Sequence, residues 1–124
     1  MSQRLRFHPA VASDLSEAAD YYAQADPDLP RRLRADLRQS LDLVEAFPYL
    51  GGTIFEIYRH ITLRRFPHLA VYRIKGDVVR VLAVVHTRRD PAWIQNTVRG
   101  RERSRAAQAA TTVFPPELTM GDLS

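Results

Sequence analysis

The spacing of apolar residues along this chain changes from a period of two to a helical period and back again. Residues 4–7, Arg-Leu-Arg-Phe, alternate polar and apolar positions and predict a short strand that stops before Pro9. Two apolar stripes at helical spacing follow, separated by Asp26-Pro27-Asp28. The stripes consist of Val11, Leu15, Ala18, Ala19 and Tyr22, and then of Leu33, Leu37, Leu41, Val44 and Phe47. They predict an antiparallel pair of amphipathic helices, the first capped by Ser13 or Asp14 and the second by Asp28.

The stretch from Ile54 to His86 predicts strands. Within it, Gly76-Asp77 stands between two alternating runs and is a two-residue hairpin signal. With that loop, Ile74 would face Val79, Tyr72 would face Val81, and Ala70 would face Ala83. In this register one face of the sheet is largely apolar, and we expect the two helices to pack against it. The other face would carry Leu69, Val71, Arg73, Arg80, Leu82, Val84, His86 and Arg88. Because that second face is apolar in the middle and rimmed with arginine and histidine, we expect an open groove for an amphipathic peptide or a nucleotide chain.

These elements predict an α+β domain over residues 1–98. It has an N-terminal strand and an α-helical hairpin packed on one face of a small antiparallel sheet, in the order β-α-α-β-β-β. From Arg99 the pattern changes to "RGRERSRAAQAATT" and then to "VFPPELTMGDLS", which has two prolines and no sustained period. Residues 99–124 are therefore predicted to be an Arg/Ala-rich extension and a flexible tail.

Charge is distributed unevenly over the 124 residues. The formal net charge is +4, but residues 54–105 hold 12 basic and 4 acidic side chains, whereas the segments on either side are acidic. A basic half indicates an anionic partner, either nucleic acid or an acidic protein segment. High-GC coding is the alternative explanation, because only Lys75 among the 18 basic residues is a lysine.

The composition also excludes several classes of protein. Cysteine is absent, and 45% of the residues are hydrophobic, so we expect a packed core without disulfides or a thiolate metal site. The four histidines, His8, His60, His68 and His86, show no metal-ligand spacing, and we expect neither a metal nor a cofactor. With no targeting signal and no long apolar run, the sequence predicts a cytoplasmic protein that does not enter the membrane.

Three segments in these positions resemble the RelE/ParE superfamily of bacterial toxins, also known as plasmid-stabilisation proteins. They are "FHPAVASDLSEAADYY", "LRRFPHLAVYRI" and "VRVLAVVHTRRDPAW", and the resemblance covers about residues 4–94. It implies the toxin half of a type II toxin–antitoxin module and a cognate antitoxin as partner. It leaves open a toxin dimer or a toxin–antitoxin hetero-oligomer.

The resemblance also implies two possible targets. ParE-like members poison DNA gyrase, whereas RelE-like members enter the ribosomal A site and cleave mRNA. The nuclease would use His86 as acid or base, with Arg88 and Arg64 stabilising the charged transition state. The single lysine at a hairpin tip and a tryptophan after the last strand favour the ParE-like branch. A third possibility is an inactive member that only binds its partner.

The predicted surface for target and partner is the second face of the sheet with the segment that follows it. The residues assigned to it are Arg64, Arg65, Arg73, Arg88, Arg89 and Trp93. Three of them also have a structural interpretation: Arg88 and Arg89 would pair with Asp90 or with helix carboxylates, and Trp93 would be a lid over the core.

Overall fold

The computed structural model describes residues 4–103, and within this range one five-stranded sheet carries three helices. The strands are β1 (Arg4–Phe7), β2 (Gly52–Phe55), β3 (Tyr58–Thr62), β4 (His68–Lys75) and β5 (Val78–His86). The helices are α1 (Ala10–Ala23), α2 (Leu29–Ala46) and α3 (Pro91–Arg103). The sheet order is β1-β5-β4-β3-β2, with β1 parallel to β5 and the other neighbours antiparallel. The predicted α+β architecture is confirmed, although the sheet is mixed and has one strand more than the prediction.

Helices α1 and α2 form the predicted hairpin and bury their apolar stripes against one face of the sheet. Val11, Leu15, Leu37 and Leu41 are fully buried there. The predicted start of α1 is wrong, because the helix begins at Ala10 and Asp14 lies inside it. Asp28 does stand at the N-cap of α2, but its side chain makes no capping hydrogen bond there. It pairs instead with the guanidinium groups of the first turn, Arg31 at 2.7 Å and Arg32 at 3.0 Å.

The register of β4 against β5 follows the prediction only near the hairpin turn. Ile74 faces Val79 and Tyr72 faces Val81, as expected. A β-bulge then inserts one residue into β5, so that Ala83 faces Val71 and the predicted Ala70–Ala83 pair is wrong. From Ala83 onward, the side chains of β5 lie on the face opposite to the predicted one. Val84 joins the core under the helical hairpin, whereas Ala83 and Val85 turn to the other side.

Helix α3 covers the second face of the sheet, so the expected open groove is absent from the described part of the chain. Ile94 and Val98 of α3 are buried against the apolar middle of that face. The residues they cover are Tyr58, Leu69, Val71, Leu82, Ala83 and Val85. Asp90 and Pro91 begin the helix, with the Ala92 N–H donating to Asp90 Oδ1 at 3.2 Å. The helix continues past residue 98 to Arg103, and the predicted tail over residues 104–124 lies outside the described residues.

An ion pair joins α1 to α3 at the edge of β5, where β1 has ended. The two terminal nitrogens of the Arg101 guanidinium, Nη1 and Nη2, donate to the Asp14 carboxylate at 2.7 and 2.8 Å. Asp14 also accepts the Val84 N–H at 3.0 Å, and Arg101 donates to the Leu82 carbonyl at 2.9 Å. The pair therefore satisfies backbone groups of β5 that have no strand partner on this side, because β1 ends opposite Val81.

A buried carboxylate fixes the loop between β3 and β4. Asp36 of α2, 3% exposed, accepts the backbone N–H groups of Arg64, Arg65 and Phe66, at 3.3, 2.8 and 3.1 Å. This loop delivers Phe66 to the core and leads directly into His68. Among the helices described, none has the length and apolar character needed to cross a membrane.

Candidate functional site: an aromatic cleft at the end of the sheet

A cleft of about 330 Å³ lies between α1, the ends of β4 and β5, and the start of α3. Its lining combines aromatic rings, imidazoles, carboxylates and one guanidinium group. The lining residues are Asp14, Glu17, Ala18, Tyr21, Tyr22, His68, Val84, Val85, His86, Arg89 and Trp93. The cleft exists because β1 ends at Phe7, so that the last part of β5 has no neighbouring strand on that side. Its volume is at the lower end of the range for small-molecule sites and also suits one or two inserted side chains.

One wall of the cleft is a continuous series of edge-to-face ring contacts. Ring centroids lie 5.3 Å apart between Tyr21 and Tyr22, 5.8 Å between Tyr22 and His68, and 5.2 Å between His68 and His86. The series begins at Tyr21, which is 69% exposed, and ends inside the cleft. Aromatic walls of this kind supply large contact areas at a small loss of conformational entropy on binding.

The two histidines of this wall differ in burial and in hydrogen bonding. His68 is 6% exposed, and its Nδ1 atom is buried with no hydrogen-bond partner among residues 4–103. Burial, and then the neighbouring charge of His86, lower the pKa of His68 to about 4, so this ring is neutral at physiological pH. His86 is half-buried and accepts the Arg88 N–H at Nδ1, at 3.0 Å, which places the proton of the neutral ring on Nε2.

Cationic and aromatic groups surround the mouth of the cleft. The Arg89 guanidinium lies over the Trp93 ring, 4.1 Å from its centroid. Trp93 is 37% exposed and contributes to the rim of the cleft. Arg88 is exposed, and within residues 4–103 neither Arg88 nor Arg89 forms an ion pair. The alternative in which Asp90 or a helix carboxylate pairs with them therefore has no support in the described structure.

The residues predicted for the site fall into three separate places. His86, Arg88, Arg89 and Trp93 come together at the cleft. Arg73 lies on the α3 face and pairs with Glu102. Arg64 and Arg65 lie beside α2, in two other shallow depressions. The nuclease hypothesis requires Arg64 close to His86, but Arg64 lies outside the cleft that His86 lines.

The sequence analysis missed the α1 side of the cleft. Tyr22 was predicted only as part of the apolar stripe of the first helix, and His68 was considered only as a metal ligand. The signal was present in the pair Tyr21-Tyr22 at the end of an amphipathic helix, because only one of two adjacent aromatic rings can face the core. His86 was predicted on the opposite face, and the bulge in β5 is the reason for the error. Among the described residues, no group of three or more acidic or histidine side chains is placed to hold a metal ion.

The fold of the chain is similar to that of a solved structure. That structure, the chromosomal ParDE TA system from P. aeruginosa, has a TM-score of 0.61 and 24% identity to this chain, covering 68% of this chain and 96% of its own. At this identity the match shows the class of fold, an α+β domain with a helical hairpin packed on a mixed sheet.

Sequence comparison identifies the family within that class. The model of the ParE toxin of type II toxin-antitoxin system, parDE, matches residues 5–91. Toxin ParE2 of Mycobacterium tuberculosis is 34% identical over 102 residues, which are 82% of this chain and 97% of that protein. The same values are found for strain H37Rv and for strain CDC 1551. The chain therefore belongs to the family of ParE toxins of type II toxin–antitoxin systems.

Proposed function

We propose that this toxin inhibits growth by binding a protein target, DNA gyrase, through the cleft and its mouth, and that a cognate antitoxin neutralises it by occupying the same cleft. The observation that carries the proposal is the lining of the cleft. Aromatic rings form its walls, and Arg89 is its one guanidinium beside the carboxylates of Asp14 and Glu17. A polypeptide segment finds apolar contact and hydrogen bonds in such a cleft.

An RNA backbone is a poorer occupant of the cleft. Cleavage needs several cations around the scissile phosphate, whereas the lining offers one, Arg89, and the carboxylate of Glu17 disfavours a polyanion beside it. Arg64, predicted to act with His86 and Arg88 in the nuclease, lies beside α2 and outside the cleft. Arg73 is engaged by Glu102 on the opposite face of the sheet. Of the two arginines that the nuclease hypothesis places beside His86, only Arg88 is close to it.

The mouth of the cleft offers a second element of recognition. Arg88 and Arg89 are exposed beside Trp93, and arginine and tryptophan are the side chains most enriched in the energetic centres of protein interfaces. Carboxylates of the antitoxin would pair with these two arginines while an apolar side chain fills the cleft. Target and antitoxin would then compete directly.

The test is induced expression of the toxin alone, followed by paired assays of gyrase supercoiling and of cell-free translation with the purified protein. We expect supercoiling to fail while mRNA stays intact. Cleavage of mRNA in the A site with normal supercoiling would instead establish the RelE-like activity. Normal growth and two unaffected assays would identify an inactive partner-binding member.

A matched pair of variants tests the site itself. Arg88→Ala with Arg89→Ala should weaken inhibition by about tenfold or more, because each truncation removes a central charged contact. The control is Arg31→Ala with Arg32→Ala, which removes the same charge from exposed positions on α2. Full toxicity in a folded Arg88/Arg89 variant would remove the mouth from the site.

A further inference from the structure

Three arginines stand in one row across the sheet, far from the cleft. Arg6 of β1 pairs in register with Arg80 of β5, and Arg80 pairs with Arg73 of β4. Their side chains share the α3 face, because the residues that alternate with them are buried under the helical hairpin. Those alternating residues are Leu5, Phe7, Val79, Val81 and Tyr72. Cβ atoms of directly paired residues on adjacent strands lie about 5 Å apart, and like charges at that separation destabilise the sheet.

The row is only partly neutralised. Glu102 of α3 pairs with Arg73 and lies 3.9 Å from Arg80, and the Tyr58 hydroxyl donates to the same carboxylate at 3.4 Å. Within residues 4–103, Arg6 has no ion-pair partner. Two residues further along the strands, Arg4 and Lys75 flank Val78 on the same face, and both are exposed.

We infer that this arginine row, Arg6, Arg80 and Arg73 with Arg4 and Lys75 beside it, is a second interaction surface and binds a carboxylate-rich polypeptide segment. The Glu102 carboxylate is an internal example of such binding, since it contacts two arginines of the row and accepts a hydrogen bond from the Tyr58 hydroxyl. Arg6, Arg4 and Lys75 extend the same surface toward the β1 edge, and within residues 4–103 no carboxylate pairs with them, so further carboxylates would find cations there. This inference does not depend on gyrase being the target.

A protein segment fits the row better than a single-stranded nucleic acid does. Sites for single strands combine cations with exposed aromatic rings on which bases stack. Tyr58, the aromatic side chain in register with Arg73, is 5% exposed and has no free ring face for stacking. Guanidinium groups bind carboxylates through paired hydrogen bonds and need no such platform.

The test measures binding of a fluorescein-labelled oligo-glutamate dodecamer to the full chain by anisotropy at low salt. Arg4→Gln with Arg6→Gln should weaken binding by about tenfold. The control, Arg31→Gln with Arg32→Gln, makes the same change in net charge on α2 and should leave the affinity within about twofold. The Arg4/Arg6 variant should also melt a few degrees higher than the unmodified protein, because it removes like-charge repulsion against Arg80.

Weaker peptide binding together with a higher melting temperature would show that the arginines act in binding. A variant that merely unfolds would lose both affinity and stability. Equal loss of affinity in the control variant would overturn the proposal in favour of unspecific charge attraction. Tighter binding of a twelve-nucleotide oligo-dT than of the peptide would overturn it in favour of a nucleic acid. A large gain in peptide affinity on Glu117→Gln with Asp122→Gln would mean that the chain's own C-terminal carboxylates occupy the row.

Discussion

Replacing Arg101 with methionine should strongly destabilise the fold, because this residue ties α3 to α1 across the edge of β5. Methionine keeps much of the volume of the side chain and removes its charge and its donors. Three hydrogen bonds disappear, two to Asp14 and one to the Leu82 carbonyl. The Asp14 carboxylate then keeps the Val84 N–H as its remaining donor among the contacts described above.

The magnitude follows from burial. The side chains of Arg101 and Asp14 are 17% and 11% exposed. Removing one partner of a fully buried pair costs about 3–5 kcal/mol, because the other charge stays buried without compensation. Since both groups keep some contact with water, we expect about 2–3 kcal/mol. That is a substantial part of the roughly 5–15 kcal/mol that stabilises a typical domain.

Urea denaturation followed by far-UV circular dichroism measures the free energy of unfolding. The matched control is Arg31→Met, whose ion pair with Asp28 is exposed and should contribute less than about 1 kcal/mol. A double-mutant cycle with Asp14→Asn isolates the coupling between the two side chains. If Arg101→Met loses no more stability than Arg31→Met, the tether does not hold α3. A chain that ends at residue 98 should be destabilised at least as much as Arg101→Met, since it lacks both Arg101 and Glu102.

Two further predictions concern the β3–β4 loop and His68, which follows it. Asp36→Ala removes the acceptor of three backbone N–H groups in this loop and should lower the free energy of unfolding by about 3 kcal/mol. Asp36→Asn keeps one carbonyl oxygen and should lose less stability, and equal urea midpoints for the two variants would contradict this. Because the pKa of His68 in the folded state lies below its value of 6.5 in the unfolded chain, only the unfolded chain takes up a proton as the pH falls from about 6.5 towards 4. The fold should therefore lose stability over this range, by up to roughly 3 kcal/mol, and His68→Leu should reduce that loss in melting curves recorded at several pH values; an unchanged pH dependence would show that other groups cause it.

The sequence predicted the helical hairpin well because two long apolar stripes leave little choice of face. It could not predict the bulge in β5. From Val81 to Val85 every residue is apolar, so both registers bury apolar side chains and the alternation that normally fixes register is absent. One inserted residue then moves His86 from the predicted second face into the cleft beside α1.

The second error concerned what covers the sheet. In "PAWIQNTVRGRER" only Ile94 and Val98 are buried, so the helix carries a weak apolar signal and many charges. Those charges are not a solvated face, because Arg101 pairs with Asp14 and Glu102 with Arg73. Both contacts span more than twenty residues of sequence, and no local pattern reveals them. Arg73 was accordingly predicted as free for a partner when an internal carboxylate already engages it.

Coverage of the sheet on both faces limits where another molecule can bind. The helical hairpin covers one face of the sheet and α3 the other, and Asp14 and Arg101 bind the β5 edge, so most apolar residues of both layers are buried. The two proposed binding sites lie at opposite ends of β5, the cleft at its C-terminal end and the arginine row near its N-terminal end. The cleft opens on the α1 side of the strand and the row lies on the α3 side. Since the two proposed sites are separate, we expect a segment bound at one to leave the other open, so that two partners of different chemistry would bind at the same time.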